Sequence, residues 1–256
     1  MNEFYKDINI LIIGDSCTDV FTYGHVLRLA PEGPAPVFNP TKNKSNGGMA
    51  SNVHANIKAI GAKSTLVTQN EKITKTRFID ERTNTLLMRL DSNDQASKIP
   101  YDILNSINNN TFNNIKYEAI IVSDYCKGFL SEDDIKNIAS KNKNIFLDTK
   151  KILGDWCKNV DYIKINHTEY DRTKHTIAHL NLYDKMIITR SDEGCEHKSV
   201  LYPVQKVIIK DVSGAGDTFL AGLVTEYCYS NDIIKAIHFA QECATKVVQK
   251  KGVCTV

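Results

Sequence analysis

No Gly-x-x-x-x-Gly-Lys-Ser/Thr segment occurs in this sequence, which excludes a P-loop as the means of holding a nucleotide. The turn after its first apolar run, Gly14-Asp15-Ser16, lacks the Gly-x-Gly-x-x-Gly of a dinucleotide site. An excess of charge of one sign is missing too. The 32 basic side chains face 30 acidic ones, a formal net charge of +2, which argues against nucleic acid or another polyanion as the main partner. The 7 cysteines (Cys17, Cys126, Cys157, Cys195, Cys228, Cys243, Cys254) include no Cys-x-x-Cys pair. Scattered and odd in number, they are expected to be buried free thiols in a reducing compartment, not a disulfide or zinc framework. Long hydrophobic runs are also lacking. The longest early one, Ile8 to Ile13, is broken by Asn9 and follows acidic residues, so neither a signal peptide nor a membrane span is expected. Repeats and low-complexity linkers are absent. A soluble, cytoplasmic protein remains, and 256 residues with 42% hydrophobic content suit one large core, an α/β domain spanning 1–256 with a small appendage.

Short apolar runs alternate with helical patterns, as in a mostly parallel sheet covered by helices. Strand one is Ile10 to Ile13, ending at Gly14-Asp15. Ser51 to Ile60, closed by Gly61, reads as a helix and Ser64 to Thr68 as the next strand. Further buried strands are expected at Ala119 to Ser123, Asn144 to Asp148, Tyr162 to Ile165 and Met186 to Thr189. Asp15, Ser123-Asp124, Asp148-Thr149, Asn166 and Thr189-Arg190-Ser191 stand at the carboxyl ends of these strands, where open α/β sheets bind ligands, so they are expected to rim one cleft. Two regions differ: about 20–40 and 75–91 hold short β-like pieces, with alternation from Thr85 to Leu90, and suggest a small β lid over the cleft. The Asn-rich stretch from Asn105 to Asn114 reads as a surface loop.

The most informative segment is Asp211-Val212-Ser213-Gly214-Ala215-Gly216-Asp217, which runs directly into a helical pattern with Phe219, Leu223 and Tyr227 on one face. Gly214 and Gly216 permit a tight turn and close approach to a ligand. A helix N-terminus offers unpaired N–H groups and partial positive charge to anionic oxygen. Asp217, beside those donors, suits a base that takes a proton from an attacking hydroxyl while the N–H groups stabilise a transferring phosphoryl group. A Gly-rich turn whose Asp merely favours the helix dipole is the other reading of these residues alone.

Asn46-Gly47-Gly48 with Asn52, then Asn166-His167-Thr168-Glu169, then Asp211 to Asp217 resemble, in order and spacing, the signature regions of the ribokinase-like (PfkB) carbohydrate kinases. Within that family the likeness is strongest to the D-glycero-D-manno-heptose 7-phosphate kinases of lipopolysaccharide and ADP-heptose synthesis. It is carried by Gly14 through Val37, Leu86 to Asp91, Ser123 to Gly128, Thr189 to Gly194 and Lys251 to Val256. The resemblance implies a ribokinase-like three-layer αβα sandwich and ATP-dependent phosphorylation of an anomeric hydroxyl. ATP and Mg²⁺ are the implied cofactors, and a monovalent cation is admitted. Asp217 would be the base, and the backbone of Gly214, Ala215 and Gly216 the anion hole. Asp15, Asp19, Gly47, Gly48 and Asn52 would hold sugar hydroxyls. Asn166 and Glu169 would organise phosphate and hydrated Mg²⁺, Glu169 acting through water. Thr189, Ser191 and Gly194 would lie along the nucleotide. A substrate that already bears phosphate needs charge-assisted donors, for which Lys75, Arg77 and Arg89 are the candidates, with Arg28 and Lys127 behind them. His25, His54 and His167 receive no catalytic role, because phosphoryl transfer rests on positioning, electrostatics and one carboxylate.

Departures from the resemblance are specific. Only Gln69 to Ile73 separate the strand ending at Thr68 from Thr74, where family members carry another helix and strand. Ser213 stands for Thr and Cys126 for Gly, and the stretch from Glu169 to Met186 is short. No counterpart of the nucleotidyltransferase half of the bifunctional heptose enzymes falls in this sequence. The shortened link leaves the lid with less local support, which points to pairing of two lids across a homodimer. A kinase for a different sugar or a nucleoside, or a silent sugar or nucleotide sensor, are the other readings.

Overall fold

The first strand sets the layering. In the computed structural model, which describes residues 3–256, β1 (Asn9–Gly14) is buried from Ile10 onward. Leu11 and Ile13 enter one apolar cluster and Ile10 and Ile12 another, because successive side chains leave a strand on opposite faces. A strand with core on both sides belongs inside a sheet covered by helices on both faces.

β2 (Ser16–Leu29) and β3 (Pro36–Met49) form a long antiparallel hairpin, after which α1 (Ala50–Ile60) leads to β4 (Lys63–Val67), β5 (Thr74–Asp80) and β6 (Thr85–Ser92). α2 (Tyr101–Ser106) and the small hairpin of β7 (Thr111–Phe112) and β8 (Ile115–Lys116) precede β9 (Ala119–Asp124), α3 (Glu132–Lys141) and β10 (Ile145–Thr149). β11 (Tyr162–Asn166), α4 (His167–Leu180) and β12 (Met186–Thr189) follow, then β13 (Cys195–His197), β14 (Val200–Tyr202), α5 (Ala215–Ser230) and α6 (Ile233–Val248).

The main sheet has 8 strands in the order β14-β13-β12-β11-β10-β9-β1-β4. It is parallel from β4 to β12 and antiparallel at the last two strands. Val53 and Ile57 of α1, Leu220 and Leu223 of α5 and Ile237 of α6 pack on one face; Leu104 of α2, Ile135 of α3 and Ile177 of α4 pack on the other. The result is the expected αβα sandwich. Strand order reverses between β1 and β9, so the crevice at their carboxyl ends is where a ligand binds in such a sheet.

Three local expectations need correction. α5 is not apolar on one face only: every residue from Asp217 to Thr225 is buried, because the helix runs between α1 and α6. The Asn-rich stretch is no simple surface loop. Asn109, Asn110, Asn113 and Asn114 adopt positive φ, which Asn tolerates, and the buried Asn110 side chain donates to the Lys143 carbonyl at 2.8 Å. Among the cysteines, none is disulfide-bonded, yet Cys126 is exposed and Cys228 and Cys254 are half-buried.

The lid is a 4-stranded sheet ordered β3-β2-β5-β6. Its first two strands are longer than the short pieces expected, at 14 residues each. β3 runs on past the expected end of the lid segment at about 40, because pairing with β2 overrides the weak strand preference of its Pro, Gly and Asn, and Pro40 sits at a register shift where its missing N–H is tolerated. The short link after β4 is held by Gln69, whose side-chain amide donates to the Ser16 carbonyl at 2.6 Å and accepts from the Ser16 N–H at 3.1 Å. The main sheet ends at β4, consistent with the shortened sequence there.

Candidate active site

Gly214 precedes α5 with φ of 80°, a left-handed conformation, and a Cβ there would lie 2.6 Å from Asn52 Nδ2. Glycine is required on both counts. Among the described residues, no backbone carbonyl accepts from the N–H groups of Gly214 and Gly216, so both remain as anion donors at the positive end of a 16-residue helix. Ala215 departs from the expected anion hole, since its N–H donates to the Val212 carbonyl at 3.2 Å.

Asp217, in the first turn, is 5% exposed. Its Oδ2 accepts from Asn52 Nδ2 at 3.0 Å and its Oδ1 from the Tyr125 hydroxyl at 2.6 Å. Burial pushes its carboxyl up to about 6, against the opposing effect of these two hydrogen bonds. A base poised there is ionised at neutral pH yet still basic enough to accept a proton. Activity that depends on ionised Asp217 is therefore lost as pH falls through about 6. Tyr125→Phe removes a bond that favours the carboxylate, so the acidic limb of kcat/KM against pH is expected to move to higher pH. An unmoved limb would show that Tyr125 does not tune the base.

The expected sugar side divides in two. Asp19, Gly47 and Gly48 come together where β2 pairs with β3, and a Cβ on Gly48 would run into the Asp19 carboxylate. Asp15 and Asn52 have protein partners for their polar atoms. Asp15 accepts from the backbone N–H groups of Tyr125 at 2.7 Å, Lys127 at 3.2 Å and Phe129 at 3.3 Å, which shapes the loop after β9. Asn52 donates to Asp217, while its own Oδ1 accepts from Asn56 Nδ2 at 3.1 Å.

The three lid cations also have partners. Arg77 is ion-paired with Asp19. Arg89 donates through Nε and Nη2 to the two oxygens of Asp91, each at 2.7 Å. The nearly buried Lys75 bridges Asp91 at 3.0 Å and Asp94 at 2.9 Å, and Lys127 holds Asp94 from the β9 side. Arg28 is not brought to the site; at the exposed end of β2 it reaches only the Leu29 carbonyl, at 3.5 Å. Burial pushes the Cys17 thiol up to about 12, with Asp19 and Asp217 raising it further and Lys75 and Arg77 opposing them.

A cavity of about 630 Å³ opens beside Asp217. Asn166, Thr189, Ser191, Gly194 and the Gly214 to Gly216 turn line it together. Asn166-His167-Thr168-Glu169 is a reciprocal capping box: Asn166 Oδ1 accepts from the Glu169 N–H and Glu169 Oε2 from the Asn166 N–H, both at 2.9 Å. Glu169 Oε1 is ion-paired with Lys150, so each carboxylate oxygen has a protein partner. Among the described residues no group of three or more His, Cys, Asp or Glu could enclose a metal. Mg²⁺ does not need one, since it keeps several waters and takes few protein oxygens. The buried Asp148 Oδ1, which has no hydrogen-bond partner, is the free carboxylate oxygen that suits it.

Four contributors were not foreseen in their roles. Tyr125 donates to Asp217, and Lys150 lies 5.2 Å over its ring. Lys164 is buried in β11 against Asp148 at 2.7 Å, with Nζ 3.1 Å from where a Gly216 Cβ would stand. A lysine inside an apolar strand was the available signal, because a buried cation requires a partner. Val204, Val207, Ile209 and Val212 form an apolar wall of the cavity suited to a base.

Sequence and structural likenesses agree with this arrangement. The Bifunctional protein HldE of Blochmanniella pennsylvanica is 27% identical over 303 residues, covering 98% of this chain and 62% of that protein. Its counterpart in Bradyrhizobium sp. (strain ORS 278) is 26% identical over 306 residues, covering 96% and 61%. The chain thus spans about 62% of the length of the relatives it matches, and each aligned stretch exceeds its own 256 residues, so the relatives carry segments that it lacks. Among solved structures, the ribokinase of Thermotoga maritima has a TM-score of 0.71 at 12% identity, covering 96% of this chain and 94% of that one. A nucleoside kinase of Methanocaldococcus jannaschii, described as an archaeal member of the ribokinase family, has a TM-score of 0.68 at 17% identity, covering 97% and 94%. These two likenesses establish a ribokinase-like fold. The family described as pfkB family carbohydrate kinase matches residues 67–256, and with the buried carboxylate at a glycine-led helix start the chain belongs to that family of carbohydrate kinases.

Proposed function

We propose that this carbohydrate kinase transfers the γ-phosphoryl group of ATP to the anomeric hydroxyl of a phosphorylated sugar, D-glycero-D-manno-heptose 7-phosphate, giving the 1,7-bisphosphate. The observation that carries the substrate class is the set Lys75, Arg77 and Arg89, three cations on the adjacent lid strands β5 and β6, with Arg77 paired to Asp19 beside Gly48. Asp217 takes the proton of the attacking hydroxyl, held by the Asn52 and Tyr125 hydrogen bonds in the orientation it needs. The Gly214 and Gly216 N–H groups stabilise the oxygens of the transferring group, helped by the α5 dipole. Lys150 and Lys164 add positive charge on the same side. Mg²⁺, when bound with ATP, supplies charge neutralisation at the phosphates, and Asp148 is the residue suited to hold its waters. Such a product would be a precursor of ADP-heptose and lipopolysaccharide.

Arg89→Ala tests this. Losing one charge-assisted phosphate contact costs roughly 1.5 to 3 kcal/mol, so kcat/KM for heptose 7-phosphate is expected to fall at least about tenfold while the KM for ATP stays nearly constant. An unchanged kcat/KM removes Arg89 from substrate recognition. One observation favours a second reading, a kinase for an uncharged sugar: each of the three lid cations already has a carboxylate partner.

The lid also supports pairing of two copies. β6 is an edge strand whose Leu86, Met88 and Leu90 are exposed, a surface that strand edges in stable proteins cover or charge. Light scattering at working concentration is expected to give the mass of a homodimer. A fully active monomer would contradict it.

A further inference from the structure

Asp19 has two claims on it. Its carboxylate lies against Gly48, the turn expected to floor the sugar, with only 5% of the residue exposed, yet Arg77 is paired with it. Arg77 is held there by more than charge, since its guanidinium stacks 5.2 Å from the Phe21 ring. It also stands directly opposite Arg89 in the β5–β6 register, and like charges facing each other across strands repel unless each is compensated. Asp19 compensates Arg77, and Asp91 compensates Arg89.

An uncharged sugar that drew Asp19 away from Arg77 would leave a half-buried guanidinium unpaired, which is the costly way to break an ion pair. A substrate with a phosphate dianion offers Arg77 a replacement partner, one that the facing Arg89 favours as well.

We propose that the Arg77–Asp19 ion pair is a specificity latch: the substrate's phosphate draws Arg77 toward Arg89, and this exchange frees Asp19 to accept from the sugar hydroxyls. The proposal rests on the sugar-phosphate reading and goes further, because it makes phosphate a condition for sugar binding and not merely an added contact. Arg77 then has a double role. It attracts the phosphorylated sugar and it obstructs the unphosphorylated one.

The test separates the two halves of the substrate. Wild-type protein is assayed with ATP and unphosphorylated D-glycero-D-manno-heptose, with and without phosphite dianion, and then with heptose 7-phosphate. Phosphite is expected to raise kcat/KM for the unphosphorylated sugar at least about fivefold, since binding of the separate dianion releases the latch. Arg77→Met should have the opposite effects on the two sugars. Turnover of unphosphorylated heptose should rise about fivefold without phosphite, phosphite should then have no effect, and turnover of heptose 7-phosphate should fall about tenfold or more. The phosphite arm needs no variant, so a poorly folded Arg77→Met leaves the test intact. If heptose 7-phosphate is preferred but phosphite does not activate the wild type, the latch is wrong and the substrate reading stands. A wild type with no preference for the phosphorylated sugar overturns that reading and the latch with it.

Discussion

Asp217→Asn is expected to lower kcat by about 10²-fold or more while nucleotide binding persists, because the amide keeps the shape of the carboxylate but cannot take the proton. The same substitution is expected to stabilise the fold at neutral pH. Asp217 is buried and its carboxyl is pushed up from the usual range to about 6. A raised folded-state value means that the native protein binds the extra proton, so stability is fully present below the ordinary carboxylate range and is lost as pH rises through about 6. At neutral pH the ionised group therefore costs on the order of 2 to 3 kcal/mol, which Asn does not incur. Thermal melts should show a gain in Tm for the variant at pH 8 that disappears near pH 4. Near-normal turnover would remove Asp217 from the mechanism, and a Tm difference independent of pH would contradict the account of its burial.

Gly214→Val is the second large effect. At φ of 80° any β-branched residue is strained, and the new Cβ would meet Asn52 Nδ2 at 2.6 Å and Val253 Cγ1 at 3.1 Å. Asn52 is the donor to Asp217 Oδ2, so one substitution disturbs both the anion-binding turn and the orientation of the base. Loss of a comparable oxyanion donor lowers kcat by about 10² to 10³, and a fall of that size is expected here. Gly214→Ala, which adds the Cβ without branching, should fall between the wild type and Val. Unchanged kinetics in a folded Val variant would make the turn purely structural.

How far such a site is visible in sequence depends on whether a residue acts through local pattern or through distant pairing. The strands β1, β9, β10, β11 and β12 and the start of α5 are legible because period, capping and glycine placement are local signals. Asp217, Gly214 and Gly216 fall in that class. The protein contacts of Asp15 with Tyr125 and of Asn52 with Asp217 are not legible in the sequence, since they join residues more than 100 positions apart. Lys75, Arg77 and Arg89 share the limitation: their positions on lid strands follow from alternation, but the carboxylates that hold them depend on the register of β2, β5 and β6. The wall from Val204 to Val212 has no strand or helix pattern, and only its place beside the cavity reveals a use for its apolar side chains.

The central claim, transfer of phosphate from ATP to the anomeric hydroxyl of a sugar phosphate, is tested most directly by ADP release across a panel of phosphorylated and unphosphorylated sugars and nucleosides, with the product identified by phosphorus NMR. Heptose 7-phosphate is predicted to turn over at least about tenfold faster in kcat/KM than the unphosphorylated heptose, and to gain a second phosphate at its anomeric carbon. Faster phosphorylation of ribose, fructose or a nucleoside than of any sugar phosphate would contradict the substrate, and ATP binding with no turnover of any sugar would contradict the kinase.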